Sequence, residues 1–298
     1  MEASAASAPR AATAARSREK VVKDSGPKTP WWMWIAITVI VLFCLFPFYW
    51  LISISLKTGN DLQSSSLIPP NPTLSNYKTI FQNPDFTHAL RNSAIVALVT
   101  TLLALVVGSF CAYALARLKL RGKFIILGVV LSISTFPQIA IAAPLFKLWS
   151  DIGLFNTWTG LILPYLTFAL PLTIYILVSF FREIPRDLEE AALVDGATHF
   201  QAFRKVVIPL AAPGLATAGI LAFIASWNEF LLAVTLTSSS KARTVPAAIA
   251  FFTGATEHEV PYGSISAASV VISVPLILLV LLFQKRIVAG LTAGAVKG

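Results

Sequence analysis

Residues 189–210 read EEAALVDGATHFQAFRKVVIPL. The stretch lies between two long apolar runs. It is too polar to sit in lipid, yet it carries an apolar stripe of its own. Pro185, just upstream, suits the first turn of a helix, where its missing N–H costs nothing. Asp187, Glu189 and Glu190 load that end with negative charge, which the helix dipole favours. Gly196 stops the helix in a left-handed conformation. Thr198 with Gln201 three residues on forms a capping box for a second helix. Phe200, Phe203, Val206 and Val207 fall on one face of it, and Pro209 ends it. The segment therefore reads as a pair of short helices with a sharp turn between them.

The chain around it belongs to a membrane. Of its 298 residues, 56% are hydrophobic and 12% are charged, with a mean hydropathy of +0.75. A soluble domain carries about 25% charged residues. The formal charge of +9 is no nucleic-acid signal, because the basic residues fall in short segments between apolar runs. Cys44 and Cys111 both lie inside such runs and read as small buried hydrophobes, with no metal spacing and no disulfide framework.

The runs set the organisation. Residues 1–30 are rich in Ala, Ser, Arg and Lys without apolar periodicity and read as a disordered basic tail. The domain proper then spans 31–298. Six apolar runs follow: Trp31 to Leu56, Ala89 to Ala116, Phe124 to Leu148, Trp158 to Phe181, Pro213 to Leu236 and Ile265 to Phe283. Each is near the ~20 residues that a helix needs to cross a bilayer. Trp31, Trp32 and Trp34 suit an interfacial aromatic belt. Pro47, Pro137, Pro144, Pro164, Pro171 and Pro275 predict kinked helices packed in a bundle, where neighbours satisfy the freed carbonyls. The expected fold is thus an all-α membrane protein of six transmembrane helices.

Lys and Arg set the orientation. They crowd the tail, the connection from Arg117 to Lys123, the segment from Arg182 to Lys205, and the C-terminal end at Lys285, Arg286 and Lys297. They are sparse on the other side, at Lys57, Lys78, Arg91, Lys147, Lys241 and Arg243. Both termini and the loop 183–212 are therefore expected in the cytoplasm. A helical pair held below a membrane has two readings, an interfacial element lying in the headgroups or a docking element for a soluble partner. Its acidic residues weigh toward a protein groove.

Nothing in the chain reads as catalytic. There is no G-x-x-x-x-G-K-[ST] phosphate loop, and the terminal GAVKG lacks the Ser or Thr. His88, His199 and His258 are scattered, without metal-ligand pairing. A secondary transporter would show midplane ionisable groups and repeats, and a channel a ring-forming filter. The pattern shows one acid, Glu229, deep in an apolar run and no clear repeat. At a helix centre such a residue costs about 2.5–3.5 kcal/mol on insertion scales, so it must be paired or face a wet cavity.

EAALVDGA followed by VVIPL resembles the cytoplasmic signature loop of ABC importer permeases. Glu190, Ala191 and Ala192, then Gly196, then Val206, Ile208 and Pro209 stand at that family's spacing. The usual I-x-L-P ending appears as Val206-Val207-Ile208-Pro209, a conservative departure. The likeness extends along nearly the whole chain after the tail. NYKTIF, NSAIVA, AYALARL, FREIPRDLEEAA, SWNEFLLA and GLTAGAVKG are similar to the sugar-importing, maltose-type branch, in its shorter permease. Actinobacterial disaccharide importers, the trehalose type included, look most alike.

The resemblance implies a transport subunit in a bacterial plasma membrane that is not an enzyme and binds no cofactor of its own. ATP and Mg would sit on a partner ATPase present in two copies. A second permease would complete a heterodimer, an extracellular sugar-binding protein or lipoprotein would deliver cargo, and nucleic acid would play no part. The signature loop would be a coupling helix between the fourth and fifth spans. Glu190, Ala191, Ala192, Asp195, Gly196, Ala197, Phe200, Phe203 and Pro209 would couple it to the ATPase. Trp227, Asn228, Glu229 and Gln138 would line the sugar path, Trp227 by offering a flat face to a sugar ring. The outer loop at Phe252, Thr253, Gly254, Ala255 and Thr256 would touch the binding protein.

Overall fold

The structure, a computed structural model, describes residues 30–252 and 261–292, with side chains in the last helix followed as far as Gln284. The expected tail (up to residue 29) and the outer-loop residues Thr253 to Thr256 lie outside the described residues. All regular structure among the described residues is helical. The helices are α1 (Trp31–Ser55), α2 (Ser75–Gln82), α3 (Pro84–Arg117), α4 (Lys123–Ser134), α5 (Gln138–Asp151) and α6 (Trp158–Glu183). They continue with α7 (Arg186–Val194), α8 (His199–Leu210), α9 (Ala212–Trp227), α10 (Leu231–Leu236), α11 (Val245–Ile249) and α12 (Tyr262–Thr292).

The chain forms two compact units, one ending at Tyr49 and one beginning at Trp50. In the first, α1 is apolar all round and carries Pro47. The second is built on a seam between α3 and α6. Ala104, Gly108, Ala112 and Ala116 repeat every fourth residue on α3 and are buried. Ala169, Thr173, Leu177 and Phe181 do the same on α6. Small residues let membrane helices approach closely, and dispersion then replaces the missing hydrophobic drive. The approach is tight at Gly108, where an added Cβ would come within 2.7 Å of Thr173 Cγ2. Hydroxyls on the seam bond back within their own helices: Thr101 Oγ1 donates to Ala97 O and Thr173 Oγ1 to Ala169 O.

Four helices, α1, α3, α6 and α12, are long and apolar enough to span a bilayer singly, and two bent pairs bring the number to as many as six. The run expected as one helix from Phe124 to Leu148 is instead α4 and α5, bent by 81°. Pro137 explains the break: it has no N–H, and it pushes Phe136 out of the helical region. The run expected from Pro213 to Leu236 is also interrupted. It stops at Trp227, and the chain restarts as α10.

The helix expected to end at Pro209 runs one residue further, to Leu210, before the chain bends by 76° into α9. A π-helical turn at Phe203–Val207 makes this possible. Ile208 N–H reaches Phe203 O, five residues back, so the ladder is already widened where the proline ring would clash. Cys44 and Cys111 are exposed on the helix surfaces, not buried. A thiol on a lipid-facing surface meets a medium as apolar as a core.

Packing at Gly160 is the least forgiving. Its Cβ would fall 2.1 Å from Leu154 O, a backbone atom, and 3.1 Å from the Trp149 ring. Gly160→Ala is expected to lower stability by about 1–3 kcal/mol, read as a drop in the thermal midpoint in detergent. Gly128→Ala, in open space on α4, should be neutral or stabilising in the same assay.

Candidate functional site

The stretch from Arg186 to Leu210 folds as α7, a turn and α8. Pro185 precedes α7, and Asp187 and Glu189 occupy its first turn. Gly196 takes φ +85°, the left-handed region open to glycine. Around it Ala197 N–H bonds Ala192 O at 2.9 Å and Gly196 N–H bonds Leu193 O at 3.1 Å. These close the end of α7 in a Schellman arrangement. The capping box is present: Gln201 N–H donates to Thr198 Oγ1, and Thr198 N–H donates to Gln201 Oε1 at 2.8 Å. Two reciprocal caps leave the turn little freedom.

The turn presents Glu190, Ala191, Val194, Asp195 and Gly196 to the exterior, Val194 at 87% exposure. Ala192 and Ala197 are half-buried and Pro209 is exposed. The two aromatics separate in depth. Phe200 lies at the rim, stacked on Phe110 at 6.4 Å. Phe203 is buried, 4.8 Å from the Tyr113 ring and 5.3 Å from Phe110, with Phe181 edge-on. Phe203 thus faces α3 and α6 rather than outward.

A cluster that sequence reading missed stands behind α7. Glu189 turns inward, opposite in sense to its neighbour Glu190. It accepts a hydrogen bond from Tyr113 Oη, and Arg117 Nε lies 3.1 Å from its Oε2. That is close enough for an ion pair, although the N–H is not aligned on the carboxylate. The two charged side chains are only 6% and 11% exposed. Arg117 Nη2 also donates to Ile184 O at 2.9 Å, at the end of α6. The available signal was the i, i+4 spacing of Tyr113 and Arg117 on α3, which places both on one face.

The expected path residues are not brought together as one surface. Glu229 is 6% exposed, and its carboxylate caps α10. Oε1 accepts from Leu232 N–H at 2.7 Å and Oε2 from Ala233 N–H at 3.0 Å. A buried carboxylate at a helix N-terminus is thereby hydrogen-bonded and set in a favourable field. Trp227 is 5% exposed, stacked on Phe223, and its Nε1 donates to Ile272 O on α12 at 3.2 Å. Asn228 is exposed. Gln138 is elsewhere, half-buried at the start of α5. It lines a cavity of about 480 Å³ with Ser132, Phe136, Ile141, Thr167 and Phe168.

On the opposite end of α3, buried Asn92 Nδ2 donates to Ser240 O and Arg243 O. Asn92 Oδ1 accepts from Trp158 Nε1 at 3.0 Å. Ser93 Oγ accepts from Val245 N–H at 2.8 Å. Asn156, at φ 56°, receives Ser238 and Ser239 N–H. The base of the loop leading to Phe252 is therefore fixed. Phe252 itself is half-buried against Phe86. Among the described residues no group of His, Cys, Asp and Glu side chains could hold a metal.

These features define a multi-pass membrane permease with a rigid helical turn held out from its bundle. The chain belongs to the family of binding-protein-dependent transport system inner membrane components, whose pattern it matches over residues 104–292. It is therefore an inner-membrane transport subunit and not itself an enzyme. It is 54% identical, over 88% of its own length and 95% of the relative's, to the trehalose transport system permease protein SugB of Mycobacterium tuberculosis. It is 42% identical to the trehalose/maltose transport system permease protein MalG of Thermococcus litoralis, over 89% and 95% of the two chains. A crystal structure of a bacterial ABC transporter involved in the import of the acidic polysaccharide alginate shares the fold. The TM-score is 0.72 over 84% of this chain and 93% of that one, at 23% identity.

Glu229→Ala removes the acceptor for two amides buried in an apolar bundle. The expected loss is about 1–3 kcal/mol. Faster hydrogen exchange at Leu232 and Ala233, read by mass spectrometry, would localise it to α10.

Proposed function

We propose that this chain is one of two permease subunits of an ATP-driven, binding-protein-dependent sugar importer, with a disaccharide, trehalose first, as its cargo. The observation that carries the reading is the α7–α8 turn. It is capped at both ends and exposed at Glu190, Val194 and Gly196, within a chain 54% identical to a trehalose permease. A rigid, exposed knuckle is what a soluble partner's groove requires.

In this reading the six spans are α1, α3, α4 with α5, α6, α9 with α10, and α12, in a permease domain of residues 31–298. Both termini lie in the cytoplasm with a basic tail before the first span. The α7–α8 pair is the coupling helix. It enters a cleft on one of two ATPase subunits, which hold the ATP and Mg, so this chain needs no cofactor. Glu190 and Asp195 meet the cleft, Ala191, Ala192 and Ala197 keep the element slim, and Gly196 permits the turn. Phe200 sits at the rim, while Phe203 and Pro209 fix the element to the membrane bundle. An extracellular binding protein or lipoprotein delivers sugar near the loop that runs from Phe252 through Gly254. A second permease closes the pathway.

Cargo passes the break between α4 and α5. Non-helical backbone at membrane depth is tolerated where it is buried in protein or lines a watery cavity. The chain there offers Gln138 and the Phe136 and Phe168 rings to a cavity of about 480 Å³. Asn228, exposed at the break after α9, is the second polar group of the path. Trp227 and Glu229 act on the path by holding its walls, Trp227 through α12 and Glu229 through α10.

Three experiments test this. A cysteine at Val194 should cross-link to the ATPase in native vesicles, and Glu190→Lys or Gly196→Pro should abolish uptake without preventing insertion. Uptake at the wild-type rate in either variant would refute the coupling assignment. Gln138→Ala should raise the half-saturating trehalose concentration by about five- to tenfold, the worth of one hydrogen bond, measured in proteoliposomes with the binding protein in excess.

A further inference from the structure

We propose that Tyr113, Arg117 and Glu189 form the joint that hands movement of the α7–α8 turn to α3, and that α3 carries it to the outer loop. The inference rests on the coupling role assigned above. These three are positioning residues: none reaches the turn's exposed tip.

The geometry is specific. Within one turn at the end of α3, Glu189 attaches α7 and the Phe203 ring attaches α8. Arg117 adds the end of α6 through Ile184 O. Both limbs of the knuckle are thus fastened to the same stretch of helix. Arg117 and Glu189 form the one ion pair among the described residues, and it is desolvated. Separating the two would leave an uncompensated buried charge, so the pair resists slipping. The Tyr113–Glu189 and Arg117–Ile184 hydrogen bonds are directional and the ion pair is short-range, which fastens α7 to the end of α3.

The far end of α3 is pinned as firmly. Asn92 and Ser93 hold the carbonyls of Ser240 and Arg243 and the N–H of Val245. From Asn92 to Tyr113 an α-helix extends ~32 Å at 1.5 Å per residue, about the thickness of the hydrocarbon core. One unbroken helix therefore ties the knuckle to the base of the outer loop. The path from α8 into α9, by contrast, passes through a bend of 76°.

The test uses the complete importer, with both permeases, the ATPases and the binding protein, in lipid nanodiscs. Three variants are compared: Glu189→Gln, Tyr113→Phe, which keeps the ring on Phe203, and the charge exchange Arg117→Glu with Glu189→Arg. The readout is the ratio of ATPase rates with and without sugar-loaded binding protein, alongside the Val194→Cys cross-link. The cross-link should persist in all three. The ratio should fall by about tenfold in Glu189→Gln, within the usual range of coupling energies, less in Tyr113→Phe, and recover in large part on charge exchange. An unchanged ratio in both single variants would overturn the inference, as would activity lost only in proportion to assembled complex. Absence of the cross-link in the otherwise wild-type importer would instead remove the coupling role itself, and this inference with it.

Discussion

The close approach of α3 and α6 is what the rest of the molecule hangs on. In lipid, two helices gain nothing from hiding apolar surface, because the tails outside are as apolar as leucine. They gain only from fitting. A stripe of Ala and Gly at every fourth position of α3 removes the bulk that would hold the axes apart. Thr173 then occupies the space that a side chain at Gly108 would need. α9 is laid against the same pair, with buried Ala218 and Ala222 continuing the small-residue surface.

On that seam the chain tolerates three departures from simple spanning helices, each with its own means of satisfying the backbone. At the Pro137 break the hydroxyls of Ser134 and Thr135 donate to the carbonyls of Leu131 and Ser132 at the end of α4. At Pro209 a π-helical turn absorbs the missing donor and frees the chain to swing into α9. After Trp227 the Glu229 carboxylate supplies the acceptor for two amides of α10. A similar economy holds outside the helices. The ammonium of Lys57, almost wholly buried, donates to the carbonyls of Ser66 and Ser64 and lies over the Trp50 ring. Here too a polar side chain holds an irregular stretch in place.

The acids illustrate how far residue type predicts role. Glu189 and Glu190 are adjacent and chemically identical, and nothing local separates them. One faces out on the turn, and the other is drawn under Tyr113 and beside Arg117, because the face of α7 that meets α3 falls at position 189. Glu229 was legible as an acid that had to be paired or face a wet cavity, but not as a cap. Its partners are amides three and four residues later, and they exist only because the helix breaks at Asn228.

Composition, hydropathy and charge asymmetry by themselves determined the class of protein, the apolar runs and the short polar element between two of them. The capping box at Thr198, the left-handed stop at Gly196 and the start of α7 after Pro185 were equally readable, since caps and turns depend on residues within a few positions of one another. Tertiary structure alone decided which helices bend and by how much. It also decided that Cys111 faces outward, that Trp227 is spent on α12, and that Asn92 grips a loop some 150 residues away. Those outcomes depend on which faces meet across the bundle. A bilayer leaves that choice to shape and to distant hydrogen-bond partners, and neither leaves a periodic trace in the chain.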